Sequence, residues 1–240
     1  MTREFVITVE QGKQLIARAL AADEALLSAA RSGRVLIVAG TTNAYVAQAL
    51  LDALGLDCGF DASSFRRGVT IAPGDKLPPV ERTRDLLIDH GVAHYESDVF
   101  EYAPQLNAGD IVLKGANALY LPDGECGVLI GNSAVGTTLP IMTAVVGRRA
   151  RLIVPVGLEK RVDKPISELM EIANRPDGVG PRLMSLPGSP YTELDAIRAL
   201  TGCEAELIAA GGIMGAQGCA YIAASGDKAQ LDKLAALLFS

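Results

Sequence analysis

Apolar residues come in two rhythms along this chain, and the change between them marks its elements. Val35-Leu36-Ile37-Val38-Ala39 is an unbroken apolar run of strand length within a strand expected over 34–39. Gly40 stops it, Thr41, Thr42 and Asn43 follow, and a helical pattern runs over 42–54 to Gly55. Upstream, Thr8-Val9-Glu10-Gln11 reads as a capping box. Leu15, Ile16, Ala19, Leu20, Leu26 and Leu27 then repeat at helical spacing as far as Ala30, which predicts one helix ended by Ser32-Gly33. Residues 56–80 are rich in Gly, Pro and charge, with 68–72 as a short strand; Pro78-Pro79 leads into a helix expected over 80–90. Further strands are expected at 91–95, 110–115, 127–131 and 151–156, with a helical segment at 137–147. Uniformly apolar strands separated by helices predict an α/β fold, a mostly parallel, Rossmann-like sheet with helices on both faces.

The last sixty residues change character. A strand at 182–186, a helix over 192–200 capped by Thr192, strands at 204–210 and 219–224 around a Gly-rich hairpin, and a helix over 228–239 give the order β-α-β-β-α. That order is most of a ferredoxin-like unit. The expected organisation is an α/β ligand-binding domain, 1–180, and a small α+β subdomain, 181–240, joined through Arg175-Pro176-Asp177-Gly178-Val179-Gly180-Pro181. A competing reading has these late strands extend the main sheet.

Composition narrows the function classes. With 240 residues, 49% of them apolar and 21% charged, the chain can bury a sizeable core. The net charge of −6, the absence of Trp and 5% aromatic content argue against nucleic-acid and anionic-membrane partners. No long uncharged apolar segment suggests a signal peptide or membrane span. Cys58, Cys126, Cys203 and Cys219 lack CxxC spacing, which fits reduced thiols in a cytoplasmic protein. His90 and His94 would share a face if helical, but Gly91 lies between them and no third ligand is evident; neither a metal nor a cofactor is assigned. High apolar content and sheet edges that need cover predict a homo-oligomer.

The candidate chemistry is anion binding. Gly40, Thr41, Thr42 and Asn43 combine a helix N-terminus with hydroxyl groups, a setting in which N–H groups and the helix dipole hold phosphate or carboxylate. An ordinary helix cap uses the same residues. A second Gly-Thr-Thr, Gly136-Thr137-Thr138, also precedes a helix, and both turns can face the C-terminal edge of one parallel sheet. Lys114 at a strand end, Gly115, Asn117, Asn132, Ser133 and Lys160 are the further ligand-binding candidates. Arg66-Arg67-Gly68 could clamp an anion, although solvated loop charge is the more ordinary role. Asp110 and Glu125 are the only nearby carboxylates available as a base.

Three segments carry a resemblance. Gly40-Thr41-Thr42 resembles the phosphate-binding turn of the superfamily that contains ribose-5-phosphate isomerase, glucosamine-6-phosphate deaminase, CoA transferases and the ligand domains of deoxyribose-operon-type repressors. Residues 110–118 are similar to its strand ending in a Gly-Ala-Asp-like turn, and 151–160 to its later strand leading to a Lys. The resemblance implies a sugar-phosphate or CoA-ester ligand and an isomerase- or transferase-like enzyme. The departures are specific: Asn117 stands at the Asp-like position, and 131–140 contains no acid where the isomerases place a catalytic Glu. An amide cannot accept a proton as a carboxylate does. The same departures fit the alternative, a non-catalytic ligand sensor or a degenerate structural relative.

Overall fold

Val35, Leu36 and Ile37 are all fully buried, and neighbouring strand residues face opposite sides, so both faces of the sheet are covered here. They belong to the central part of an α/β fold, seen in a computed structural model that describes residues 1–71, 73–75 and 84–239. In chain order the elements begin with β1 (Thr2–Ile7), α1 (Val9–Ala21), α2 (Glu24–Ser32), β2 (Arg34–Ile37), α3 (Thr41–Leu54), β3 (Asp85–Asp89) and β4 (Val92–Ser97). They continue with α4 (Val99–Tyr102), β5 (Ile111–Leu113), β6 (Ala118–Tyr120), β7 (Glu125–Ile130), α5 (Thr138–Met142) and β8 (Arg151–Pro155). The remainder are α6 (Ile166–Ala173), β9 (Arg182–Leu186), β10 (Ser189–Tyr191), α7 (Glu193–Thr201), β11 (Glu204–Ala210), β12 (Ala220–Ser225) and α8 (Lys228–Phe239).

The principal sheet is mixed, in the order β10-β8-β5-β2-β3-β4. β10, β8, β5 and β2 run parallel, and β3 and β4 continue the sheet antiparallel. Ile37, Leu113 and Ile153 share a register line, so β2, β5 and β8 end on the same edge. The antiparallel β3 begins there, with Leu86 opposite Ile37. Two smaller antiparallel sheets complete the fold, β1-β12-β11 and β6-β7-β9. One large apolar cluster spans the principal sheet, its helices and the β1 sheet, while a small one, Ala118, Ile166 and Leu183, sits between the β6 sheet and α6. Among the described residues no helix is long and apolar enough to cross a membrane.

Several expectations change. The helix expected over 80–90 is, over its described part, the strand β3. Leu86-Leu87-Ile88 is too short an apolar run for its periodicity to separate helix from strand, and a two-residue turn follows it. His90 and Gly91 both take positive φ in that turn, 47° and 81°, the geometry that joins β3 to β4 and removes the histidines from a helix face. Residues 80–83 and Pro78-Pro79 lie outside the described residues, as does Ala72; residues 68–71 form no strand. The first helical stretch is two helices, because the Asp23 carboxylate accepts from Leu26 N and starts a new one. The capping box at Thr8 and Gln11 is present. The strands β1, β6 and β10 and the helices α4 and α6 have no counterpart among the expected elements.

The C-terminal elements do not close into a ferredoxin-like unit. β9 pairs with β7, β10 joins the principal sheet beside β8, and β12 lies between β11 and the N-terminal β1. The β9-to-β10 connection packs tightly on β8. A Cβ at Gly188 would meet Leu152 Cγ at 2.5 Å and Val154 Cγ2 at 2.9 Å. Gly188→Ala is therefore expected to destabilise the fold by about 1–3 kcal/mol through overpacking, read as a lower denaturant midpoint with unchanged slope.

Candidate functional site

The site grows out of the junction between β2 and α3. Gly40, in extended backbone, is the N-cap of α3, and no side chain caps the first turn. Asn43, buried, turns back instead: its amide Nδ2 donates to Val38 O at 2.8 Å and Leu113 O at 3.1 Å, tying the ends of β2 and β5 together. Thr41 and its neighbours thus begin a fourteen-residue helix whose N-terminal dipole faces outward without a side-chain acceptor. Thr42 Oγ1 and Asn43 Oδ1 are buried and have no hydrogen-bond partner. Groups left in that condition cost free energy until something pairs with them.

The second Gly-Thr-Thr lies across from the first. Asn132 Oδ1 accepts from Ala134 N at 2.7 Å, and Asn132 O accepts from Val135 N at 3.1 Å and from Arg182 at 3.1 Å. This holds Val135 and Gly136 in left-handed backbone, φ 65° and 59°. A β-branched residue there is strained, and such strain concentrates at ligand-binding loops. Thr138, which opens α5, is buried.

Lys114 leaves the end of β5 at the bottom of this space. Its residue is only 8% exposed, and Nζ makes no hydrogen bond or ion pair among the described residues. Burial, helped by the Arg67 charge and opposed by Asp85, pulls its pKa down to about 8. Asn117, in the turn that follows, accepts from Leu129 N at 3.0 Å through Oδ1, so that oxygen joins the turn to β7. Lys160 ends the short helical turn after β8, and burial lowers its pKa too.

The fourth wall is the loop at 66–71, fixed by a carboxylate that sequence reasoning missed. Asp85, buried at the start of β3, accepts from Ala39 N at 2.9 Å, Val99 N at 3.0 Å, and Arg67 Nη1 and Nη2 at 2.9 and 3.3 Å. One carboxylate thereby binds the end of β2, the start of α4 and the Arg67 guanidinium. Its sequence signal was an acid directly before the buried Leu86-Leu87-Ile88, a place where an unpaired charge is untenable.

Together these walls enclose an open cleft of about 940 Å³ at the C-terminal edge of the parallel strands. Every ligand-binding candidate from the sequence lines it except Ser133: Gly40, Thr41, Thr42, Asn43, Lys114, Gly115, Asn117, Asn132, Gly136, Thr137, Thr138 and Lys160. Arg66 and Arg67, assigned above to a solvated loop, line it as well. Val69, Ile71 and Phe100 give it an apolar rim. No Asp or Glu is among its described lining residues. Asp110 is at the opposite edge, before β5, where its carboxylate accepts from Arg34 N and Asn107 N. Glu125 accepts from Ile166 N and so caps α6. Among the described residues no group of three His, Cys, Asp or Glu side chains is arranged to hold a metal.

Asp85→Asn is expected to cost about 2–4 kcal/mol, because an amide cannot accept from all four donors and the charge-assisted pair with Arg67 is lost. Urea denaturation measures this, and limited proteolysis within 66–71 should accelerate with it. No family model, curated protein or solved structure matches the chain.

Proposed function

We propose that the cleft binds a small phosphorylated or carboxylated metabolite of the sugar-phosphate or CoA-ester type. The observation that carries this reading is the charge of the lining: Lys114, Lys160, Arg66 and Arg67 with no acid among the described lining residues, in a protein of net charge −6. The uncapped start of α3 adds N–H groups directed at the same space. Its volume suits a metabolite, and the apolar rim suits a ligand that is not charged throughout. The parallel strands ending at this cleft supply the Rossmann-like part of the reading.

The three segments behind the resemblance meet here, as Gly40–Thr42, Lys114–Asn117 and Lys160. That convergence supports a distant place in the superfamily of ribose-5-phosphate isomerase and the CoA transferases. An isomerase- or transferase-like enzyme would have to rely on groups other than the superfamily's carboxylates, and the unpaired Lys114 amine favours that arm. The absence of a carboxylate among the described lining residues favours the second reading, a ligand sensor. Four free cysteines fit a cytoplasmic setting. Exposed Ile208 on the edge strand β11, with exposed Ile213 and Met214 in the following hairpin, supports a homo-oligomer.

Ribose 5-phosphate or acetyl-CoA at a hundredfold excess over Kd is expected to add about 2.7 kcal/mol, or roughly 5–10 °C of Tm, while ribose adds nothing. Equal Tm with and without every anion tested refutes the binding reading.

Lys114→Met is expected to abolish that anion-dependent gain and yet stabilise the ligand-free protein by about 2 kcal/mol at pH 7, since it removes a buried, unpaired ammonium. The folded pKa of about 8 lies below the ordinary 10.5. Below pH 8 the burial cost is therefore fully expressed. Between pH 8 and 10.5 the folded protein has lost a proton that the unfolded chain keeps, so wild-type stability recovers with rising pH. The methionine's advantage should shrink across that window in urea titrations and vanish above it.

A further inference from the structure

A binding pocket for an anion needs positive charge, but it does not need an amine sealed at its base. Arg66, Arg67 and the start of α3 already supply charge and donors at the walls. Lys114 differs from them in three respects. It lies at the end of a central, fully buried strand; it is more than nine-tenths enclosed; and its Nζ has no partner among the described residues. Asp85, the nearby carboxylate, is occupied by four donors and forms no ion pair with it. A lysine that serves only as structural counter-charge is expected to be paired, and one placed to react is kept desolvated near another cation.

We propose that Lys114 is an amine nucleophile that forms an imine with a carbonyl group carried by the cleft's anionic ligand. This rests on the anion-binding reading above and names the reacting class within it, small keto or aldehydo phosphates and carboxylates. The neutral Nζ attacks the carbonyl carbon, forming a C–N bond, and a proton passes from nitrogen to the carbonyl oxygen. The C–O bond of that adduct then breaks, water leaves with the second nitrogen proton, and C=N remains. The step involves no oxidation or reduction. Among the described residues the charged groups facing Lys114 are Arg67, which drives its proton off, and Asp85, which opposes this. With the pKa near 8, an appreciable share of the amine is neutral at physiological pH. The uncapped turn at Gly40–Asn43 and the hydroxyls of Thr41 and Thr137 hold the anionic end, which places the carbonyl over the amine.

The test uses the full chain with pyruvate and dihydroxyacetone phosphate as carboxylated and phosphorylated ketones, and acetone as the uncharged one, each with sodium borohydride. Peptide mass mapping is expected to find, on the Lys114 peptide, the mass of the ketone less one oxygen. The labelled fraction should be at least tenfold higher with a charged ketone than with acetone, and inorganic phosphate should suppress it. Lys114→Arg should lose the label; because protection by phosphate is read on the wild-type chain, the test stands even if that variant does not fold. No label at Lys114, label no greater than on the exposed Lys164, or label indifferent to phosphate overturns the proposal. Thermal shifts in the same ligands separate the two levels. Anion-dependent stabilisation without label leaves the binding reading standing and removes only the imine. Neither stabilisation nor label removes both.

Discussion

The buried carboxylate of Asp85 is the constraint on which the site depends. A charge in that position is tolerable only if its lone pairs are filled, and four donors from three separate stretches of chain fill them. Ala39 fixes where β2 stops, Val99 fixes where α4 starts, and Arg67 brings in a loop that has no regular structure of its own. The requirement is therefore geometric as well as energetic. The carboxylate can be satisfied only when the floor and one wall of the cleft are assembled together, which couples formation of the site to formation of the sheet. Asn43 repeats the device with a neutral amide, closing β2 on β5.

What these contacts assemble is poorly balanced without a guest. Asp85 is taken up by Arg67 and two backbone donors, Lys114 remains enclosed without a hydrogen bond or ion pair among the described residues, and Thr42 Oγ1 and Asn43 Oδ1 remain enclosed without donors. Val135 adds a left-handed backbone that its branched side chain disfavours. A chain selected for stability alone would replace Lys114 with an apolar residue and relax this loop. Their coincidence in one cleft fits the proposed binding of a ligand, for which stability would be given up where binding requires it.

The sequence revealed the cleft more fully than the fold around it, for a physical reason. Gly40-Thr41-Thr42 and Gly136-Thr137-Thr138 are local signals, each built from adjacent residues, but only the first lies on the edge where the parallel strands of the principal sheet end. The second follows β7 of the separate antiparallel sheet and reaches the cleft from there, not from the same parallel sheet as expected. Lys114 follows from the logic of the first, since it ends a strand of the principal sheet. Asp85 and Arg67 are partners across eighteen positions, and no spacing rule connects a loop arginine to an acid at the head of a strand. The same limit explains β3. Its three apolar residues fit either period, and its identity depends on a place between β2 and β4 that the segment itself does not encode. The late strands went astray in the same manner: their order suggested a self-contained unit, whereas β12 finds its other partner in Thr2–Ile7, more than two hundred residues upstream.

Asp110 and Glu125 show why residue type alone misleads about chemistry. Both are acids beside strands, and proximity in sequence to Lys114 and to the Gly-rich loop made them the available bases. Each is committed to backbone N–H groups, Asp110 at the edge opposite the cleft and Glu125 at the start of α6. A carboxylate so engaged is a structural acceptor, and its lone pairs are no longer at the disposal of a substrate proton. With the acids accounted for in this way, acid–base work in the cleft would fall to an amine. Burial is the main cause that lowers the pKa of both of its described lysines; Lys160 has Glu159 and Glu193 to favour its charge against Lys13, whereas Lys114 has Arg67 to oppose a charge and Asp85 to favour it. The difference between the two is set by which charges the fold places near each, and it singles out the residue at the end of the central strand.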